Sequence, residues 1–333
     1  MWPHVSSLLL LAASGLFQAV FSLPVRHVRG WRWEQLWVAQ SVSANVLFPL
    51  IWCVIVPAGF WHQVAQIPPS HWLVSYAWGL LWGLGGVAWS LTLGGLGIAF
   101  ANSFVLGASI CTGALVPLII RSVEFPAHGL AFAFGLGLCT LGTVLIGFFR
   151  GRAKERPLLP MPQVLQAYRR MIVVGVFAGC ATAGYGLAFA CSFWVIRNLV
   201  GRGISPLSAS LVVVLPVYLG AASVAVPLGI AVAARAGGLS LFFGKSATRN
   251  WSLALVMGLC AAATAILYGF GGSRAGHPSP NIAFGLFTTS LVLAGIGLGF
   301  ATGEMRGLSR RARTGLAISV CALLAGGWLL DAH

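Results

Sequence analysis

The chain has 333 residues, of which 58% are hydrophobic and only 8% charged, against the roughly one quarter charged that soluble domains carry. Twenty Lys and Arg outweigh five Asp and Glu for a formal net charge of +15, yet the positive residues sit in short breaks between long apolar runs. This pattern excludes a water-soluble domain, and it assigns the basic residues to topology and lipid-headgroup anchoring instead of nucleic-acid binding.

A helix needs about 20 mainly apolar residues to cross the hydrocarbon core. Ten such spans are predicted: Val5–Leu23, Leu36–Pro57, Trp72–Leu93, Gly97–Ile120, Ala127–Phe149, Met171–Ile196, Leu207–Ala234, Trp251–Phe270, Ile282–Gly303 and Thr314–Leu330. Met1–Ser7 holds no Lys or Arg and a second span follows at once, so the first span is read as a mature helix and not a secretory signal. Spanning β-strands would read as short alternating segments of about ten residues, which continuous runs such as Leu211–Ala233 exclude. The expected fold is all-α and integral to the membrane. The longest polar break, Arg150–Arg170, is too short to fold alone and is expected to be a basic cytoplasmic linker with a brief interfacial helix near Gln163–Arg170.

Sixteen of the twenty positive residues fall in the odd-numbered connections: Arg26, Arg29 and Arg32; Arg150 to Arg170; Arg235, Lys245 and Arg249; and Arg306 to Arg313. Cytoplasmic loops carry the Lys and Arg excess, so these faces are cytoplasmic and both termini periplasmic, as in a bacterial inner-membrane protein. Five spans precede the linker and five follow it. Because five is odd, similar halves at 1–149 and 171–333 would enter the membrane in opposite orientation, the inverted-repeat architecture of many secondary transporters. Spacing supports the division. Ser14, Phe17, Gln18 and Phe21 recur as Thr182, Tyr185, Gly186 and Phe189, and Gly79, Gly83, Trp89 and Gly97 recur as Gly258, Ala262, Tyr268 and Gly276. Small residues at helical spacing, such as Gly79, Gly83 and Gly86 or Gly295, Gly299 and Gly303, let membrane helices approach closely. Pro49, Pro117, Pro216 and Pro227 are positioned to kink their spans.

All seven Cys lie within apolar spans without C-x-x-C spacing and read as packing residues. The chain has no H-E-x-x-H motif, no intramembrane carboxylate pair and only a partial serine motif at Gly107–Ser109, so neither an enzyme nor a metal or other cofactor is expected.

Particular residues carry a family resemblance. Val25–Trp37, VRHVRGWRWEQLW, resembles the first connection of the bacterial L-rhamnose–proton symporters, where a basic stretch leads into W-x-W-E-x-x-W. The resemblance continues in Trp82–Gly97, in the small-residue run Gly107–Ile119 and in GFFRGRAKER at Gly147–Arg156, and it reaches the glycine-rich end of the ninth span before Glu304. That family belongs to the drug/metabolite transporter superfamily, and the resemblance implies ten helices, alternating access, and a small sugar and a proton as partners alongside membrane lipids. The chain departs from the family pattern at Gly86 and Ala88, where the family has amides, at Gly94, where it has a positive residue, at Ala261 and Thr264, which replace a W-x-x-Q element, and around Pro280–Asn281, where an acidic residue is absent. An uncoupled or export-type metabolite carrier of the same superfamily is the alternative.

A sugar site needs amides and hydroxyls for the sugar's rim and aromatic rings for its C–H faces, placed where the halves meet. Gln18, Asn45, Trp82, Trp89, Asn102, Tyr185 and Tyr268 are the candidate substrate-binding residues, with Ser41 and Ser90 beside them. No acidic residue lies mid-span; Glu34, Glu124, Glu155, Glu304 and Asp331 all stand at or beyond helix ends. Glu34 and Glu304, at family positions, and His128, which enters the fifth span, are the candidates for proton coupling.

Overall fold

A computed structural model describes residues 2–96, 98–120, 128–151, 161–273, 280–303 and 308–331. Hydrocarbon offers backbone groups no hydrogen-bond partner, so an apolar run must close its own N–H and C=O groups within a helix. Every regular element among the described residues is accordingly helical. The helices are α1 (Trp2–Val20), α2 (Trp33–Val42), α3 (Phe48–Ile55), α4 (Ala58–Val64), α5 (Pro69–Leu96), α6 (Ile98–Ile119), α7 (Gly129–Gly151) and α8 (Met161–Thr182), followed by α9 (Gly184–Cys191), α10 (Phe193–Gly201), α11 (Pro206–Ala209), α12 (Leu211–Arg235), α13 (Ala247–Ser273), α14 (Pro280–Ala301) and α15 (Arg310–Asp331).

Eight helical segments among the described residues are long and apolar enough to cross a membrane: 6–27, 33–55, 129–146, 170–201, 206–235, 247–272, 282–301 and 310–330. The third and fourth predicted spans are occupied by α5 and α6, of 28 and 22 residues. The surface suits lipid. Leu73, Leu130, Val173 and Trp328 are each at least 68% exposed, an extent of bare apolar side chain that a water-facing surface avoids.

Two spans are built differently from a plain helix. The second runs through α2, one π-helical turn at Ser43–Leu47 and α3, with Pro49 in the first turn of α3. The widened turn precedes a residue that has no N–H to return to the preceding turn. The sixth span breaks at Ala183 and again at Ser192, giving α8, α9 and α10. The interfacial helix expected near Gln163–Arg170 is the opening part of α8, because long-chain residues such as Gln166, Arg169 and Arg170 sustain a helix instead of interrupting it.

Helix partners occur in exchanged pairs. Helix α1 lies against α14 and α13, and α8 lies against α6 and α5. Likewise α5 packs along α12, and α13 packs along α2 and its π-turn. Glycines permit several of these approaches. A Cβ at Gly79 would collide with the Val217 carbonyl oxygen of α12, and one at Gly258 would stand 2.7 Å from Ser43 Cβ. Equivalence by spacing does not extend to every residue: Tyr185 is buried, whereas Phe17 is 41% exposed. Nor is the ninth span's glycine stripe a seam throughout, since a Cβ at Gly295 would meet nothing within 4 Å.

The largest apolar core gathers Trp52 and Val56 from the end of the second span, Phe60 and Val64 from α4, Ile196 and Leu199 from α10, and Leu211–Val214 from α12. It continues without a gap into the tyrosine cluster described next.

Candidate functional site

Residues four apart on a helix share a face, so α5 presents Trp82 and Gly86 together with Trp89, and α9 presents Tyr185 with Phe189. Rings from five helices converge there. The Trp82 centroid lies 5.4 Å from Tyr185 and 5.1 Å from Tyr218 of α12. Tyr185 lies 5.5 Å from Tyr268 of α13, which is 5.1 Å from Phe189 and 5.4 Å from Phe287 of α14. Gly184 brings α9 onto α5, since a Cβ there would stand 2.6 Å from the Trp78 carbonyl oxygen. The three tyrosines are buried. Tyr218 donates to the Ala261 carbonyl at 3.4 Å, and the Tyr185 hydroxyl is enclosed beside the Tyr218 and Tyr268 rings.

A second group adjoins along α5. Trp37, Ser41 and Asn45 follow one another at four-residue steps on the second span. A Cβ at Gly86 of α5 would stand 2.8 Å from Trp37 Cζ2, and one at Gly229 of α12 would stand 3.8 Å from its Cδ1. The indole therefore reaches between α5 and α12, and its centroid is 6.3 Å from that of Trp89. Trp37 Nε1 and Ser41 Oγ are buried without a partner among the described residues. These groups are uncharged donors and acceptors beside aromatic faces, an arrangement suited to a neutral hydroxylated solute.

Of the predicted site residues, Trp82, Tyr185 and Tyr268 meet in the ring cluster, while Trp89 stands apart from it beside Trp37. Asn45 is buried in the π-turn, and Gln18 is half-buried on α1. Asn102 lies in α6, but its side chain is outside the described residues, as is Glu304 altogether. His128 is exposed just before α7. Glu34 is only 2% exposed, in the first turn of α2. Its carboxylate lies 3.9 Å from the Arg32 guanidinium. Sequence reasoning missed Tyr218, Trp37, Phe189 and Phe287. The signal for Tyr218 was available: a phenol in mid-span brings a hydroxyl that hydrocarbon leaves unsatisfied.

Each end of the bundle carries an interlock between connections. In the first, Trp31 Nε1 donates to Leu241 O at 2.8 Å, Gln35 Nε2 to Gly238 O at 3.0 Å and Arg32 Nη1 to Ala236 O at 3.1 Å. Asn250 donates to Arg29 O at 2.8 Å and accepts from Arg29 N at 3.2 Å. The rings of Trp31, Phe242 and Trp251 close the contact, with centroids 5.8–6.2 Å apart. At the opposite end of α12, Arg202 donates to Gln66 Oε1 at 2.9 Å and Gln63 Oε1 at 3.4 Å. The first and seventh connections thus meet each other, as do the second and sixth.

Apolar helices with a lipid-compatible exterior, closed around an uncharged aromatic and hydroxyl interior, define a multi-pass integral membrane protein. A profile of the L-rhamnose-proton symport protein family (RhaT) matches residues 5–327, and the chain belongs to that family, one of transporters. The L-rhamnose-proton symporters of Cronobacter sakazakii and Salmonella paratyphi B are each 22% identical to it over 197 residues. That region is 58% of this chain and 56% and 57% of those proteins, so the match spans little more than half of the relatives' length. A solved crystal structure superposes with a TM-score of 0.57 over 98% of this chain and 96% of that one, at 17% identity, a likeness of fold.

Proposed function

We propose that the protein imports L-rhamnose together with a proton across the bacterial inner membrane, by alternating access between two inverted five-helix halves. The observation that carries this reading is the convergence of Trp82, Tyr185, Tyr218 and Tyr268 on one interior point. Aromatic faces can stack on the C–H faces of a deoxysugar while hydroxyl and indole groups meet its rim. Family membership and the names of the relatives supply the solute and the coupling ion. The exchanged helix pairs support the inverted halves, residues 1–149 and 171–333, joined by the basic segment 150–170.

Under that symmetry the first connection corresponds to the sixth and the second to the seventh. The Arg29–Gln35 interlock and the Arg202 interlock are then counterparts, one at each face, and transport opens one while the other holds. Glu34 is the proton carrier this arrangement favours. It is buried, and its neighbour Gln35 belongs to the inner interlock, so a change of charge at Glu34 acts where that gate is fastened.

Uptake of radiolabelled L-rhamnose into proteoliposomes, with and without an inward proton gradient, tests the reading. Accumulation is expected only with the gradient, and Glu34→Gln should lose accumulation while retaining exchange of L-rhamnose for L-rhamnose. No uptake in either condition removes L-rhamnose as the solute. Uptake indifferent to the gradient makes the protein an uncoupled carrier.

A further inference from the structure

We propose that Trp37 Nε1 and Ser41 Oγ form a hydroxyl-docking pair for a neutral polyhydroxylated solute, and that closing without solute, which leaves them unpaired, makes the empty protein reorient more slowly than the loaded one. The proposal rests on reading the chain as a solute carrier, but not on the solute being L-rhamnose.

Both atoms are buried and unpartnered among the described residues, and Ser41 is only 1% exposed. Buried polar atoms are paired in the great majority of cases, so two exceptions one turn apart on one helix face call for an explanation. Several other span hydroxyls show that a pairing carbonyl is within reach on such helices. Ser43 donates to Ala39 O at 2.8 Å, Ser90 to Gly86 O at 3.0 Å and Thr288 to Phe284 O at 2.8 Å, each using the carbonyl four residues back. The same bond from Ser41 would go to Trp37 O, and it is not made. Other indoles are also satisfied: Trp31 donates to Leu241 O and Trp251 to Phe242 O.

Position gives the unmet groups a use. Trp37 lies between Gly86 of α5 and Gly229 of α12, helices from opposite halves, and the small residues on both sides leave its ring edge at the boundary between them. Asn45 follows Ser41 on the same face, and the Tyr185 ring lies 5.4 Å from that of Trp82 of α5. An indole N–H only donates, whereas a serine hydroxyl both donates and accepts. Together they fit adjacent hydroxyls of a sugar or polyol. They carry no charge with which to hold a carboxylate, phosphate or ammonium group.

The consequence is kinetic. Closing around solute pairs these groups, while closing empty leaves them unpaired in a water-poor interior, so the empty closed state stands higher in free energy than the loaded one. Solute on the far side should therefore accelerate flux.

The test uses the full-length protein in proteoliposomes and compares wild type with Ser41→Ala and Trp37→Phe. Wild-type exchange should outrun net uptake measured without a proton gradient. Each variant should raise KM about tenfold, about 1.4 kcal/mol, and narrow the ratio of exchange to net flux. Melting of solute-free Ser41→Ala should occur at or above the wild-type temperature, because an unpaired buried oxygen has been removed. Unchanged KM and exchange ratio in both variants would overturn the proposal. So would a melting temperature several degrees lower for solute-free Ser41→Ala, which would mean that the hydroxyl has a structural partner. If L-rhamnose is not carried but another neutral sugar or polyol is, and its KM rises in both variants, the docking pair stands and the L-rhamnose reading falls. Should Trp37→Phe fail to fold, Ser41→Ala, which removes a single oxygen, decides alone.

Discussion

At Gly83 a single methyl group has no room, since a Cβ there would lie 2.7 Å from the Ala221 carbonyl oxygen of α12. Gly137 on α7 is the contrasting case, with nothing within 4 Å of its would-be Cβ. Gly83→Ala must force α5 and α12 apart, at about 1–3 kcal/mol for overpacking, whereas Gly137→Ala gains helix propensity of up to ~1 kcal/mol. Melting of the purified protein in detergent should therefore fall for the first substitution and stay level or rise for the second. A second residue carries a pH dependence. His71 stands at the start of α5 with Nε2 buried and unpartnered among the described residues, and burial pushes its pKa below the ordinary histidine value. The folded state thus prefers neutral imidazole. The stability it contributes is complete above the unfolded value of about 6.5 and is lost as pH falls from there through the lower folded value. Melting temperature should drop on acidification below pH 6.5, and His71→Leu should remove part of that slope.

Elements add what no residue shows alone. The segment Val25–Trp37 is legible in the sequence as a basic loop with a family signature, but its partners Ala236, Gly238 and Leu241 are not. They lie more than 200 residues away and offer backbone carbonyls, which leave no mark on residue type. Asn250 is the side chain that ties the two connections through both its oxygen and its nitrogen. Asn250→Ala deletes both bonds, worth ~1–3 kcal/mol together. Hydrogen exchange at residues 29–35 and 236–244 should accelerate tenfold or more, while α7 and α15, packed on each other away from this site, should be unaffected. The broken sixth span was hidden for a related reason. Ala183 and Ser192 are ordinary residues in membrane helices, and hydropathy does not distinguish an α-helical turn from an interrupted one.

For the whole molecule, the even spacing of apolar runs made the helical membrane fold legible, and the charge bias grouped the connections before any coordinates. The first connection meets the seventh, and the second meets the sixth. The interior was read less completely. Trp82, Tyr185 and Tyr268, whose rings meet, stand out in the sequence as mid-span aromatics on apparent repeat faces. Trp37 and Tyr218 do not, because which helix face turns inward depends on tertiary packing that a nearly uniform apolar sequence does not encode. Gln18 and Asn45 stand out as amides inside apolar spans, and of the two only Asn45 is buried. The proposed coupling of sugar to proton belongs to the molecule as a whole. Luminal pH, followed with a trapped dye in proteoliposomes that have no imposed pH gradient and are clamped at zero membrane potential, measures it directly. External L-rhamnose should acidify the lumen at a rate that saturates with sugar concentration; L-rhamnose entry at an unchanged luminal pH would contradict proton symport.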